Sequence, residues 1–210
     1  MSATTGQLII FDGPDGAGKT TQVEHVAKEL SSQGFSVHLT RGHGGSPFGE
    51  ELRTVSLGGT PRSARADLYL SLAIHSELQA DISDRLQQGE IILMDRGPDS
   101  IWAYQVYGDG LDAAFAAPLI DNDRSRFNPR LTLCYIASLS TLRGRMSARP
   151  GPKADYFENK GDAYFERVIS GYQFAAKRYR NPIINAEPDV ATVYDETMRL
   201  ISAVLTNSLR

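Results

Sequence analysis

Gly13-Pro14-Asp15-Gly16-Ala17-Gly18-Lys19-Thr20 matches the spacing G-x-x-x-x-G-K-[ST] at every fixed position, a pattern suited to holding a polyphosphate. Glycines at 13, 16 and 18 give the backbone conformations and close approaches that a Cβ would obstruct. The loop runs from residue 13 to 21, with Pro14, Ala17 and Thr21 completing it, and its amide N–H groups, which Pro14 lacks, then face the phosphates. A helix starting there turns its positive end toward the same anion. Lys19 adds a charge near the β- and γ-phosphates, and the Thr20 hydroxyl is placed to ligate Mg²⁺.

A second set of reactive types stands at Asp95-Arg96, directly after the apolar run Ile91-Ile92-Leu93-Met94. A carboxylate and a guanidinium at a strand's carboxyl end suit an acid that organises Mg²⁺ and a clamp on phosphate. Arg41 and His43 sit in a glycine-rich stretch, Arg41 to Gly49, where they either contact an anion or remain solvated loop charges. Arg143, Arg145, Arg149 and Lys153 place four cations within eleven residues, with no acid among them, and Pro150-Gly151-Pro152 interrupts any continuous helix. Such a segment reads as a mobile basic lid over a polyphosphate, against the plainer alternative of a solvated helix end. The lone Cys134 lies in the apolar run Leu131 to Ile136 and reads as a buried strand thiol.

The elements that must position these residues follow from periodicity. Leu8-Ile9-Ile10-Phe11 is a short apolar run of the buried-strand kind, and Val23, Val26, Ala27 and Leu30 recur at helical spacing. Ser36 to Thr40 reads as a second strand after a helix stop at Gly34. The Arg41–Gly49 stretch is then a loop on the ligand side of the sheet. A long helix is expected over Ala66–Gln87, with Leu70, Ala73, Ile74, Leu78, Ile82 and Leu86 as its stripe. Pro98-Asp99-Ser100 opens another, with Asp99 or Ser100 as N-cap, until Gly108-Asp109-Gly110 breaks it. A helix through Tyr164–Tyr179, a strand at Pro182–Ala186 and an amphipathic terminal helix complete the pattern. About five strands alternating with helices imply an α/β, P-loop NTPase fold: a parallel sheet covered on both faces, with a lid at about 143–157.

The composition sets outer limits. With 210 residues, 41% of them hydrophobic, the chain suits a single domain over 1–210. A net charge of −3 offers no general attraction for nucleic acid or anionic membrane, so an anion site must be built locally. No apolar run approaches the ~20 residues of a membrane span, and the start of the chain lacks a leader pattern, which points to a cytoplasmic protein.

Several blocks, taken together, resemble thymidylate kinase. These are Phe11 to Gln22, Arg41 with Gly44-Gly45-Ser46-Pro47-Phe48-Gly49-Glu50, and Asp95-Arg96 with Ser100 and Ala103-Tyr104-Gln105. The likeness runs on through Asp155-Tyr156-Phe157-Glu158, Phe165-Glu166-Arg167-Val168, Gly171-Tyr172 and Ile183-Ile184-Asn185-Ala186. P-loops alone are widespread, whereas the Asp95-Arg96 block with Ala103-Tyr104-Gln105 is characteristic. The resemblance implies a kinase that passes a phosphoryl group from ATP to a pyrimidine deoxynucleoside monophosphate, dTMP first, with Mg²⁺ at Thr20 and Asp95. It implies small-molecule nucleotide substrates, no nucleic-acid or membrane partner, and a homodimer. By the same resemblance Asp15 holds the sugar 3′-hydroxyl, Arg53 contacts the acceptor phosphate, and Arg96 bridges donor and acceptor. Ser100 and Gln105 line the nucleoside pocket, and Tyr104 packs where a ribose 2′-hydroxyl would go. Because Gly16 stands where one form of the family has a P-loop arginine, the catalytic lid cation is expected from Arg149 or Lys153.

The departures from the family concern the base. Leu70 stands where the family stacks a phenylalanine on thymine, and Ile74 where it has a base-bonding arginine. Gly42 and His43 replace Glu-Pro, Gly97 replaces an aromatic residue, and Tyr156 replaces an arginine after the lid aspartate. Weaker discrimination among pyrimidine deoxynucleotides is the expectation, unless His43 or His75, read here as loop and surface residues, supplies the missing donor. Two rival readings remain open from sequence: a deoxynucleoside kinase, and a nucleotide-binding module without transfer activity.

Overall fold

The computed structural model describes residues 6–58, 60–148, 156, 157 and 160–206. Strand β1 (Gln7–Asp12) leads through the glycine loop into helix α1 (Lys19–Ser32) and then β2 (Val37–Arg41). Helices α2 (Pro47–Leu57) and α3 (Ala64–Gln87) precede β3 (Ile91–Asp95). A single turn, α4 (Asp99–Ile101), widens into a π-helix over Trp102–Gly108, followed by α5 (Ala113–Phe127) and β4 (Leu131–Ile136). Helices α6 (Leu139–Ala148) and α7 (Asp162–Tyr179), strand β5 (Ile183–Asn185) and α8 (Val190–Thr206) complete the order.

All five strands run parallel in the order β2-β3-β1-β4-β5, as the strand–helix alternation predicts. Side chains of β1 divide by parity, as a pleated strand requires. Ile9 and Phe11 join α1 and α8 in one core, whereas Leu8 and Ile10 pack with Leu78 and Ile82 of α3 and Phe127 of α5 on the other face. Cys134 is a buried strand thiol, and burial pushes it well above the usual thiol range.

Three local expectations change, and one helix arises where the periodicity predicted no element. Helix α2 starts at Pro47, inside the predicted loop, because Ser46 caps it by accepting from the Gly49 N–H at 3.0 Å and Pro47 suits the first turn. Helix α5 forms despite Pro118 in its interior. Asp112 caps it, and Asn128 ends it in the left-handed region at φ 45°. The helix after β3 is capped by neither Asp99 nor Ser100: Pro98 holds that position, and the buried Asp99 carboxylate accepts from Arg124 at 2.6 Å and Asn181 at 2.5 Å. Finally, α3 buries Asp67, Leu68, Ser71, Ile74, His75, Leu78, Gln79 and Ile82, leaving Ala73 exposed and Leu70 half-buried. His75 is therefore no surface residue. Its Nδ1 lies 2.6 Å from Asp123 Oδ2, with the ring edge-on to Phe127.

The π-helix lies against α7 at Gly171. A Cβ there would stand 2.5 Å from Ala103 Cα and 3.1 Å from Trp102 O, both backbone atoms that cannot swing aside. Gly171→Ala is expected to lower stability by about 1–3 kcal/mol through this overpacking. Urea unfolding checks it, and an unchanged midpoint would contradict the contact.

Candidate active site

The glycine loop is built by steric exclusion. Gly13 holds φ 138°, and a Cβ on it would stand 2.3 Å from Tyr135 O; Gly16 holds φ 84°, with Leu142 O 2.6 Å from its would-be Cβ. Asp12, buried at the end of β1, accepts from the N–H groups of Gly13 at 3.0 Å and Gly97 at 3.1 Å. It pins the loop's entrance to the segment after β3. Burial raises its pKa, against Arg96 and Lys19. Gly18 opens α1 at φ 85° with open space in front of it, and α1 starts with no side-chain cap and no acid in its first turn. That helix end is electrostatically positive and free to meet an anion.

Lys19 lies across the loop, its Nζ donating to Pro14 O at 2.8 Å. Burial first, then the Arg96 guanidinium, pulls its pKa down, while Asp95, Asp15 and Asp12 oppose the shift. A bound polyphosphate would add anions that favour the charged form. The Thr20 hydroxyl donates to Asp95 Oδ2 at 2.6 Å, bringing two hard oxygen donors together at the end of β3.

Arg96 takes φ 70°, a left-handed conformation that costs a non-glycine residue roughly 1–3 kcal/mol. Its surroundings hold it there. The Arg96 N–H donates to Phe11 O at 2.9 Å, and the guanidinium donates to Asp15, to Tyr104 OH at 3.2 Å and to Tyr172 OH at 3.2 Å. Tyr104 in turn donates to Asp15 Oδ2 at 2.8 Å. Burial acts to raise the Asp15 pKa, but the Arg96 and Lys19 cations and the Tyr104 bond hold the carboxyl well below the usual range. Burial keeps Tyr104 and Tyr172 far above the ordinary phenol value, so both remain hydroxyl donors.

The loop after β2 is organised by Glu50, which accepts from Arg41 at 2.8 and 2.7 Å and from the Gly45 N–H at 2.7 Å. Arg53 Nη1 donates to His43 O at 2.7 Å.

These groups surround one cavity of about 1030 Å³. Of the residues singled out from sequence, Asp15, Lys19, Thr20, Arg53, Asp95, Arg96, Ser100, Tyr104 and Gln105 line it. Gly13, Pro14, Gly16, Ala17, Gly18 and Thr21 form the loop and helix start at its edge. Arg41 and His43 also reach it. Leu70 and Ile74 do not. Ile74 is fully buried in the core, and the α3 residue on that stretch of wall is Ser71, because the buried face is turned relative to the apolar stripe.

The basic segment divides likewise. Arg143 donates to Asp162 and to Lys160 O, and Arg145 to Ala186 O at 2.8 Å, so both brace α6 against its neighbours and neither lines the cavity. Arg149 and Lys153 lie outside the described residues. Two contributors escaped sequence reasoning. Asp12 shows no more than an acid at a strand end. Phe157, which lines the cavity with its ring edge toward Tyr104, sits in a polar stretch with no periodicity.

Comparison with known proteins agrees with this architecture. The family model described as thymidylate kinase matches residues 11–197. The chain is 34% identical over 206 residues to the thymidylate kinase of Pseudomonas fluorescens (strain Pf-5), covering 96% of this chain and 97% of that protein. It is 36% identical over 179 residues to that of Alkalilimnicola ehrlichii, covering 84% and 82%. The solved thymidylate kinase structure from Ehrlichia chaffeensis superposes with a TM-score of 0.72 at 26% identity, over 93% of this chain and 98% of that one. With the family model matched over residues 11–197 and relatives 34–36% identical over most of its length, the chain belongs to the thymidylate kinase family of nucleoside monophosphate kinases.

Proposed function

We propose that the protein transfers the terminal phosphoryl group of ATP to dTMP, forming dTDP. The observation that carries this is the convergence of two anion-handling sets on one cavity. Lys19 and the uncapped start of α1 serve the donor, while Arg53 and the Arg96–Asp15–Tyr104 cluster serve the acceptor. Transfer between phosphates needs positioning and charge stabilisation rather than a covalent enzyme intermediate.

In this reading, Lys19 and loop N–H groups hold the donor's outer phosphates, and Arg96 spans donor and acceptor. Arg53 takes the acceptor phosphate, whose charge sets a monophosphate apart from a neutral nucleoside. Asp15 accepts from the sugar 3′-hydroxyl, Ser100 and Gln105 line the nucleoside, and the buried Tyr104 ring fills the space a 2′-hydroxyl would need. Thr20 and Asp95 fit Mg²⁺, a cation that takes few protein oxygens and completes its shell with phosphate and water. Bound there, Mg²⁺ would neutralise charge on the donor oxygens. Arg149 and Lys153 are assigned as lid cations that act when the site closes.

The proposal includes a single domain acting as a homodimer in the cytoplasm. Among the described residues, no helix is long and apolar enough to cross a membrane. The test is a phosphotransfer screen with ATP and Mg²⁺ against dTMP, dUMP, dCMP, AMP and thymidine. Transfer to dTMP but not to thymidine is expected; transfer to thymidine alone, or to none, overturns the reading.

A further inference from the structure

His43 occupies a position where the resemblance expects proline, and the structure gives it a place in the site. It lines the cavity, as does Ser71 of α3, while Ile74 is withdrawn into the core. Its ring is fixed. Nε2 lies 2.9 Å from Ser56 Oγ, and Ser56 is itself only 2% exposed on α2, its carbonyl held by Arg62. The backbone carbonyl of His43 accepts from Arg53. Both ends of the residue are thus tied to α2.

The partner also selects the tautomer. A buried serine hydroxyl with one available acceptor donates its proton to that acceptor, since an unpaired buried donor costs roughly 1–3 kcal/mol. Ser56 Oγ therefore donates to Nε2, and the ring proton resides on Nδ1. Nδ1 has no hydrogen-bond partner among the described residues. Burial first, then Arg53, His75 and Arg96, pushes the His43 pKa down to about 3, so at neutral pH the ring is uncharged and donates one proton.

We propose that His43, oriented by Ser56, reads the acceptor's base by donating Nδ1–H to the 4-oxo group of a thymine or uracil ring. The assignment rests on the proposed function. It replaces the expected weak discrimination with selection against cytosine, whose 4-amino group is a donor that meets a donor. Ser71 leaves room for the ring without contributing a stacking face.

The experiment compares kcat/KM for dTMP and dCMP, with ATP and Mg²⁺, in wild type, His43→Ala, His43→Asn and Ser56→Ala, and measures dTMP binding calorimetrically. His43→Ala should lower kcat/KM for dTMP on the order of 10- to 100-fold while dCMP changes little, collapsing the ratio and leaving the KM for ATP unmoved. His43→Asn, whose side-chain amide lies near the Nδ1 position, should recover much of the ratio. Ser56→Ala should erode it by freeing the tautomer. Equal losses for both nucleotides, an unchanged ratio in His43→Ala, or an Asn variant no better than Ala overturns the assignment while dTMP phosphorylation by wild type stands. A wild type that neither binds nor phosphorylates dTMP overturns the proposed function with it.

Discussion

Lys19→Ala lowers phosphoryl transfer on the order of 10³-fold or more and leaves the protein folded. The single hydrogen bond made by Nζ runs to Pro14 O inside the loop, so little packing is lost. What disappears is the one lysine in the loop that anions can draw forward, and the charge it brings to the migrating group. A folded variant, judged by circular dichroism and thermal melting, that turns over ATP and dTMP at near-wild-type rate defeats the P-loop mechanism. Weaker ATP binding with kcat retained would assign Lys19 to ground-state binding only.

Arg96→Ala is expected to match that loss and to add a dependence on pH. The guanidinium holds Asp15, Tyr104 and Tyr172 together and is the leading cation holding the Asp15 carboxyl below its usual range. In wild type the depressed pKa keeps Asp15 ionised through mildly acidic solution. Without Arg96, burial raises that pKa, and Asp15 takes up a proton as the pH falls. Two effects follow: kcat/KM falls on the order of 10³-fold at neutral pH, and the residual rate declines further as the pH falls into the acid range, where wild type declines less. The stability linkage has the same sign. A carboxylate depressed in the folded state stabilises above its unfolded pKa and loses that contribution in acid, so the variant loses the Arg96-dependent advantage at neutral pH. Parallel pH–rate profiles for the two proteins would show that Arg96 does not set the charge on Asp15.

The parts of this fold that were legible in sequence are those whose cause is local. A continuous apolar run makes β1, β3 or β4 wherever it packs, and the loop spacing carries its own glycine geometry. The parts that were not legible depend on partners distant in the chain. Helix α3 buries Asp67, Ser71, His75 and Gln79 because Arg62 and Asp123 await several of them. An apolar stripe alone therefore turns the helix to the wrong face. Arg143 and Arg145 read as free cations until the carbonyls and carboxylate that hold them are seen. Helix α5 was hidden by Pro118, and the start of α2 by the glycines before Ser46. At the site, residue types and spacing named Lys19, Arg41, Asp95 and Arg96, the resemblance added Arg53 and a role for Asp15, and Glu24, Asp81 and Arg85 of the cavity wall went unnamed. The left-handed turn at Arg96 and the tethering of His43 by Ser56 arise from contacts across the fold, which no spacing records.

The π-helix at Trp102–Gly108 gives this segment an unusual relation to chain length. In a π turn the N–H reaches back five residues, as Asp109 does to Tyr104 O at 2.9 Å, so the coil holds one residue more than an α turn of the same span. Deleting one residue after Gln105 would let the coil relax to ordinary α-helix, with the flanking segments keeping their register and only the side chains inside the coil re-aimed. Insertions and deletions are commonly tolerated in loops and penalised in helices, but here the surplus residue lies in the coil that carries Tyr104 and Gln105, both of which line the cavity. Within this stretch the count of residues, as much as their identity, carries the specificity. Aligned sequences that gain or lose a position there would differ in what they hold even with every named side chain present.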